Sequence, residues 1–142
     1  MSGKPADVDI TKVTPQQLVQ LSKSIEQEID LLTQSYSQLV SASNKFADSR
    51  LVLNYLKERS QGKEIMVPLT SSLYVPGVME DNNKVLLEVG AGYFIEENAD
   101  KAREYCERKA KALQENGTKV GEIIQVKKVQ LGKIETEYAK RL

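Results

Sequence analysis

The sequence predicts a mainly α protein with an α+β element: a long antiparallel two-helix coiled-coil hairpin carrying two β-hairpins at its base. Three observations carry that expectation. Two long segments of the 142-residue chain lack proline and repeat apolar residues every seven positions. The segments are similar in length, which suits packing one against the other. Between them, residues 62–97 change to the two-residue alternation of strands. The whole reads as one subunit, with a polar start over 1–13, helices over 14–61 and 98–142, and a β hub over 62–97.

The first helix opens at Thr14-Pro15-Gln16-Gln17, where Thr14 can cap, Pro15 suits the first helical position and Gln17 completes a capping box. Counting by sevens from Leu18 gives Ile25, Leu32, Leu39, Phe46 and Leu53, an unbroken apolar row. Its companion row, Ser22, Ile29, Tyr36, Ser43, Arg50 and Lys57, is only partly apolar, so the seam is narrow. Gly62 supplies a stop.

In the hub, strands are expected over 64–69, 73–78, 85–90 and 92–97, joined as two hairpins. Thr70-Ser71-Ser72 and Gly90-Ala91-Gly92 make the tight connections. Pro68 and Pro76 cannot donate to a ladder and belong on edges or where pairing ends. Gly90-Ala91-Gly92 lacks the frame of a phosphate loop, and a hairpin turn accounts for it. Two small hairpins on a thin pair of helices cannot bury their apolar face or pair every edge alone, so the hub is expected to need other subunits. The expected assembly surface is Val67, Leu69, Leu73, Tyr74, Val75, Val85, Leu87, Val89, Tyr93 and Ile95.

The second helix has Asn98 as its candidate cap. Its seam steps four then three through Cys106, Ala110, Leu113, Gly117, Val120, Ile124, Lys127, Leu131, Ile134 and Tyr138, with Gly117 and Lys127 as exceptions. Gly117, Gly121 and Gly132 each cost about 1 kcal/mol of helix stability relative to alanine, so the outer half is expected to be the looser one.

Composition narrows the function. Twenty Lys and Arg against twenty Asp and Glu leave no basic footprint for a phosphate backbone, so no nucleic-acid partner is expected. The absence of histidine removes the usual proton shuttle and the commonest zinc ligand. Cys106 stands alone, which fits a seam residue in a reducing compartment and builds neither a disulfide nor a multi-cysteine metal site. No apolar run is long enough to span a bilayer. The expectation is a non-enzymatic, cofactor-free, cytoplasmic protein without a membrane partner; a nuclear pool stays open.

The order helix, two hairpins, helix resembles the prefoldin family, and within it the alpha class, because the beta class carries a single hairpin. The runs VPLTSSLYVPG (Val67 to Gly77) and VGAGYFIE (Val89 to Glu96) are similar to the hub of a eukaryotic alpha-type subunit, and the heptad arms extend the resemblance over nearly the whole chain. What the resemblance implies is an ATP-independent co-chaperone: two alpha-type and four beta-type subunits joined through their hairpins, with coiled-coil tentacles that hold unfolded actin and tubulin and pass them to the cytosolic group II chaperonin. On that reading, client contact is expected at the outer ends, Val13, Leu18 and Leu21 opposite Ile134, Tyr138 and Leu142. The competing reading is a coiled-coil adaptor in a prefoldin-like assembly, transcription-linked ones included, whose tips bind one folded partner.

Overall fold

The computed structural model describes residues 9–59, 62–80 and 83–142. After a short 3-10 turn at Ile10–Lys12 come α1 (Pro15–Arg59), β1 (Glu64–Pro68), β2 (Tyr74–Val78), β3 (Lys84–Gly90), β4 (Tyr93–Asn98) and α2 (Ala99–Lys140). The strands pair as two separate antiparallel hairpins, β1 with β2 and β3 with β4. The expected fold class stands, and strand bounds agree within a residue or so. The first helix is described through Arg59, and residues 60 and 61, which the expected span includes, lie outside the described residues.

Local chemistry sets the helix starts. Thr14 and Gln17 exchange hydrogen bonds: the Gln17 amide donates to the Thr14 hydroxyl (3.3 Å) and the Thr14 amide to the Gln17 side-chain oxygen (3.1 Å). At α2 the Asn98 side chain accepts from the Lys101 amide at 2.8 Å, satisfying one orphan donor of the first turn.

The chain divides into two compact units, one joining the segment up to Val40 with Glu115–Leu142, the other spanning Ser41–Gln114. In each, α1 and α2 stretches run antiparallel. In the first, Leu18, Ile25 and Ile134 form the core, with Ile10, Val13, Leu21, Ile29, Leu131 and Tyr138 packed on it. In the second, Leu53, Ala102 and Cys106 form the core, flanked by Phe46, Leu56, Tyr105 and, from β3, Val85 and Leu87. The remaining seam residues Leu32, Leu39, Leu113 and Val120 are half-buried, whereas Ile124 is buried.

The polar and small positions that interrupt the heptads have specific partners. Gly117 is buried, and the Tyr36 ring lies over Gly117 and Gly121, so two missing side chains seat one aromatic. Lys127 pairs with Glu28 across the seam, and the Ser43 hydroxyl donates to the Ala110 carbonyl at 2.9 Å. Arg50 meets Glu107 at 3.8 Å, an exposed pair of small energetic weight. A methyl added at Gly121 would sit 3.6 Å from the Tyr36 ring, an ordinary contact. Gly121→Ala is therefore expected to stabilise α2 by about 1 kcal/mol and slow amide exchange around it roughly fivefold; faster exchange would contradict the seating.

Register explains the prolines. The Leu69 amide donates to the Leu73 carbonyl (2.8 Å) and the Met79 amide to the Lys63 carbonyl (3.0 Å). With the pairing Glu64↔Val78 through Pro68↔Tyr74, odd-numbered residues form the bonded pairs and even-numbered residues point their backbone groups outward. Pro68 and Pro76 are both even, so neither costs a ladder bond. The second hairpin turns at Ala91-Gly92, with φ of 51° and 76°, after a Gly90 at 122°. Two successive positive φ values match the strand twist of a two-residue hairpin loop.

Candidate functional site: the β hub and the outer ends of the helices

No residue of β1 or β2 is buried. Odd-numbered Ile65, Val67, Leu69, Leu73 and Val75 share one face, and Met66, Tyr74 and Val78 lie on the other with the two prolines. All eight of these non-proline side chains are exposed, from 38% at Val67 to 64% at Val78. Hairpin β1–β2 thus presents apolar surface on both sides. In β3–β4 one face is partly covered by the chain itself, with Ile95 on it still exposed. Val85 and Leu87 rest on the Leu53, Ala102 and Cys106 core, while Leu86 (73% exposed) and Phe94 (61%) face away from it.

Two residues of the expected assembly surface pack on the chain's own helices, and the other eight stand open. Val85 and Leu87 are half-buried against the chain's own helices, because the strand's odd face closes the helix base. Val67, Leu69, Leu73, Tyr74, Val75, Val89, Tyr93 and Ile95 are exposed. Ile65, Met66, Val78, Leu86 and Phe94 are exposed as well and lay outside that expectation. Met66 and Val78 share the even-numbered face with Tyr74, and the apolar character of both alternation phases was the available signal.

Beside the hub, a groove of ≈ 350 Å³ is lined by Leu87, Ile95, Glu97, Lys101, Glu104, Tyr105 and Arg108. Phe46 meets Tyr105 edge to face with centroids 6.2 Å apart, and Arg108 and Lys109 hold their charges 5.4 and 5.7 Å from the Tyr105 ring. Arg103 binds Asp100 at 2.7 Å and Asn54 at 3.1 Å. These contacts tie Arg103, Arg108 and Lys109 to neighbouring side chains of the same unit.

Cys106 is 2% exposed, and burial pushes its thiol above the ordinary value. Alkylation by iodoacetamide at pH 8 is expected to be at least roughly 100-fold slower than for a free thiol and to become fast only on unfolding. Rapid native labelling would contradict this packing.

At the outer ends, five of the six residues expected to meet a client are withdrawn from solvent. Leu18 is fully buried and Ile134 4% exposed, with half-buried Val13, Leu21 and Tyr138 packed on them; only Leu142 is open, at 91%. The cause is the 3-10 turn, capped by the Asp9 carboxylate, which accepts from the Thr11 amide at 3.1 Å and from its hydroxyl. Those bonds, the hydroxyl first, hold the Asp9 carboxyl below its usual value. Arg141 fixes the turn in place. Its guanidinium donates to the carbonyls of Ile10 (2.8 Å), Thr11 (2.7 Å) and Val13, and to Glu137 (2.9 Å). These are bonds between residues about 130 positions apart, which no local pattern announces.

The family model described as prefoldin subunit matches residues 25–142, most of the chain. The chain belongs to the prefoldin family. It is similar to prefoldin subunit 5 of Homo sapiens, 37% identical over 84% of this chain and 78% of that one. It is likewise similar to prefoldin subunit 5 of Arabidopsis thaliana, 36% identical over 90% of this chain and 85% of that one. The probable prefoldin subunit 5 of Schizosaccharomyces pombe is 38% identical over 87% and 82%. Among solved structures, a filamentous prefoldin of Methanocaldococcus jannaschii shares the fold, with a TM-score of 0.70 and 22% identity over 82% of this chain and 96% of that one. Two long helices with two small hairpins match the alpha-class prefoldin fold. No helix among the described residues is long and apolar enough to cross a membrane.

Proposed function

We propose that this chain is an alpha-type subunit of a hetero-hexameric prefoldin of the cytoplasm, joined to alpha- and beta-class sisters through its hub. The complex captures unfolded chains, actin and tubulin among them, at the helix ends without ATP and hands them to the cytosolic group II chaperonin. The prefoldin family is one of non-enzymatic chaperone subunits, so the activity proposed is binding. One observation carries the reading: the helices bury their own seam, yet hairpin β1–β2 leaves both apolar faces open. A protein that stays soluble covers a patch of this kind with partners.

Client contact through Val13, Leu18, Leu21, Ile134 and Tyr138 requires the Arg141-held turn to open. Leu142, Val126 and Val129 are reachable without opening. The closed end also favours, second, an adaptor that offers a fixed surface to one folded partner. Aggregation assays separate the two. The assembled complex is expected to suppress aggregation of denatured actin and of an unrelated unfolded protein, and to lose this when residues 9–21 and 131–142 are deleted. Binding to a single folded partner with no general suppression would favour the adaptor, and suppression unchanged by the deletion would remove the ends from the account.

A further inference from the structure

In the unit that joins the segment up to Val40 with Glu115–Leu142, a groove of ≈ 480 Å³ runs along α2 beside the 3-10 turn. Ile10 forms one wall. Val129, Gly132, Lys133, Thr136 and Lys140, spaced three and four apart along one stripe of the helix, form the other. None of these α2 residues belongs to the core of the unit, which is Leu18, Ile25 and Ile134. Val129 is 59% exposed, and Val126, one turn before it, 58%. Gly132 keeps the groove open. A mid-helix glycine is costly relative to alanine; at Gly117 and Gly121 the Tyr36 ring uses the space, whereas a side chain begun at Gly132 would meet nothing within 4 Å.

The polar groups of the groove divide into those already engaged and those left over. The Thr136 hydroxyl donates to the Gly132 carbonyl at 2.7 Å. The Glu137 carboxylate, at the groove's edge, accepts from Arg141 at 2.9 Å. Lys133 and Lys140 are exposed and make no ion pair among the described residues. The groove therefore sets apolar surface beside two unpaired cations, and its complement is an apolar side chain flanked by carboxylates. The two lysines stand seven positions apart, about 10 Å of helix rise, which is the span of roughly three residues of extended chain.

We propose that this groove binds a short extended segment of a partner protein in which large apolar side chains lie between two acidic residues three positions apart. The site exists with the 3-10 turn closed, because Ile10 is held there by Arg141 through its carbonyl. It is thus separate from capture of unfolded chains by opened helix ends.

Fluorescence anisotropy on the full-length chain tests it with a labelled peptide of sequence GSELFEGS and two controls, GSKLFKGS and GSESSEGS. The acidic apolar peptide is expected to bind at least roughly tenfold more tightly than either control. Gly132→Leu fills the groove with a helix-favouring side chain, and Lys133→Glu combined with Lys140→Glu reverses its charge. Each is expected to weaken the acidic peptide at least roughly tenfold with helix content unchanged by circular dichroism, and the charge-reversed chain to prefer the lysine peptide. Arg141→Ala frees Ile10 and is expected to weaken the peptide, the opposite of its effect on unfolded chains, so failure of the groove and failure of client capture are read separately. Equal binding of the acidic and lysine peptides overturns the site. So does an acidic preference undiminished in Gly132→Leu, which marks diffuse attraction to the lysines of α2. Peptide binding seen only after deletion of residues 1–8, or displaced by dimerisation of the chain, assigns the groove to the chain itself and overturns the proposal as well.

Discussion

A chain carrying Val67→Asp is expected to be absent from the assembled prefoldin complex while its helices form as before. Val67 sits at the centre of the aliphatic face of β1–β2, paired with Val75 and flanked by Ile65 and Leu69. In the free chain that face is open, so a carboxylate there meets water and costs the fold little. In an interface the same carboxylate loses its hydration with no cation in reach, a penalty of several kcal/mol that outweighs the few neighbouring contacts kept. At about 1.4 kcal/mol per tenfold, incorporation falls by two orders of magnitude or more. Native mass analysis of subunits co-expressed with the variant reads this directly. A complex containing stoichiometric Val67→Asp chain would mean that this face stays in solvent after assembly. Thr70→Ala, in the connecting turn, is a useful contrast: it removes the hydroxyl that accepts from the Leu73 amide at 3.1 Å but leaves both faces apolar.

The second large effect lies in the unit that joins the segment up to Val40 with Glu115–Leu142. Leu18 is the most deeply buried large side chain of its unit, in a core with Ile25 and Ile134. Leu18→Ala is expected to cost about 3 kcal/mol of local stability, from lost transfer free energy plus the cavity left behind. Amide exchange over residues 10–21 and 131–141 then rises on the order of 100-fold, with residues 62–114 unchanged. Arg141→Ala acts on the same segment by another route. It releases the carbonyls of Ile10, Thr11 and Val13, which water can rehydrate, so its cost is smaller, about 1–3 kcal/mol. On the proposed function both variants raise the population of open ends and so increase binding of unfolded chains. Faster exchange without any gain in client binding would show that the buried end residues take no part in capture.

How much of this was legible in the sequence depends on the range of the interaction. Short-range chemistry was readable: the Thr14–Gln17 box, the Asn98 cap and the Gly90-Ala91-Gly92 turn each involve residues within a few positions. The heptad row was readable too, since Leu18, Ile25 and Leu53 follow from periodicity alone. What periodicity scored as defects, Gly117 and Lys127, became fitted positions only once Tyr36 and Glu28 were brought across from α1. The closed outer end was hidden for the same reason. Ile10, Thr11 and Val13 look like a polar lead-in until Arg141 arrives from the far terminus. In the hub, strand positions were legible but their division of labour was not. Alternation says that two faces exist; register shows that β1–β2 keeps both apolar and that β3 spends Val85 and Leu87 on its own helices.

The central claim is that the hub is finished only by sister subunits, and native mass spectrometry of the complex this chain forms in cell extract tests it most directly. The account predicts a hetero-oligomer of prefoldin subunits near six times the 15.9 kDa chain mass, with β1–β2 amides protected from exchange. A stable, soluble monomer with those amides already protected would contradict it.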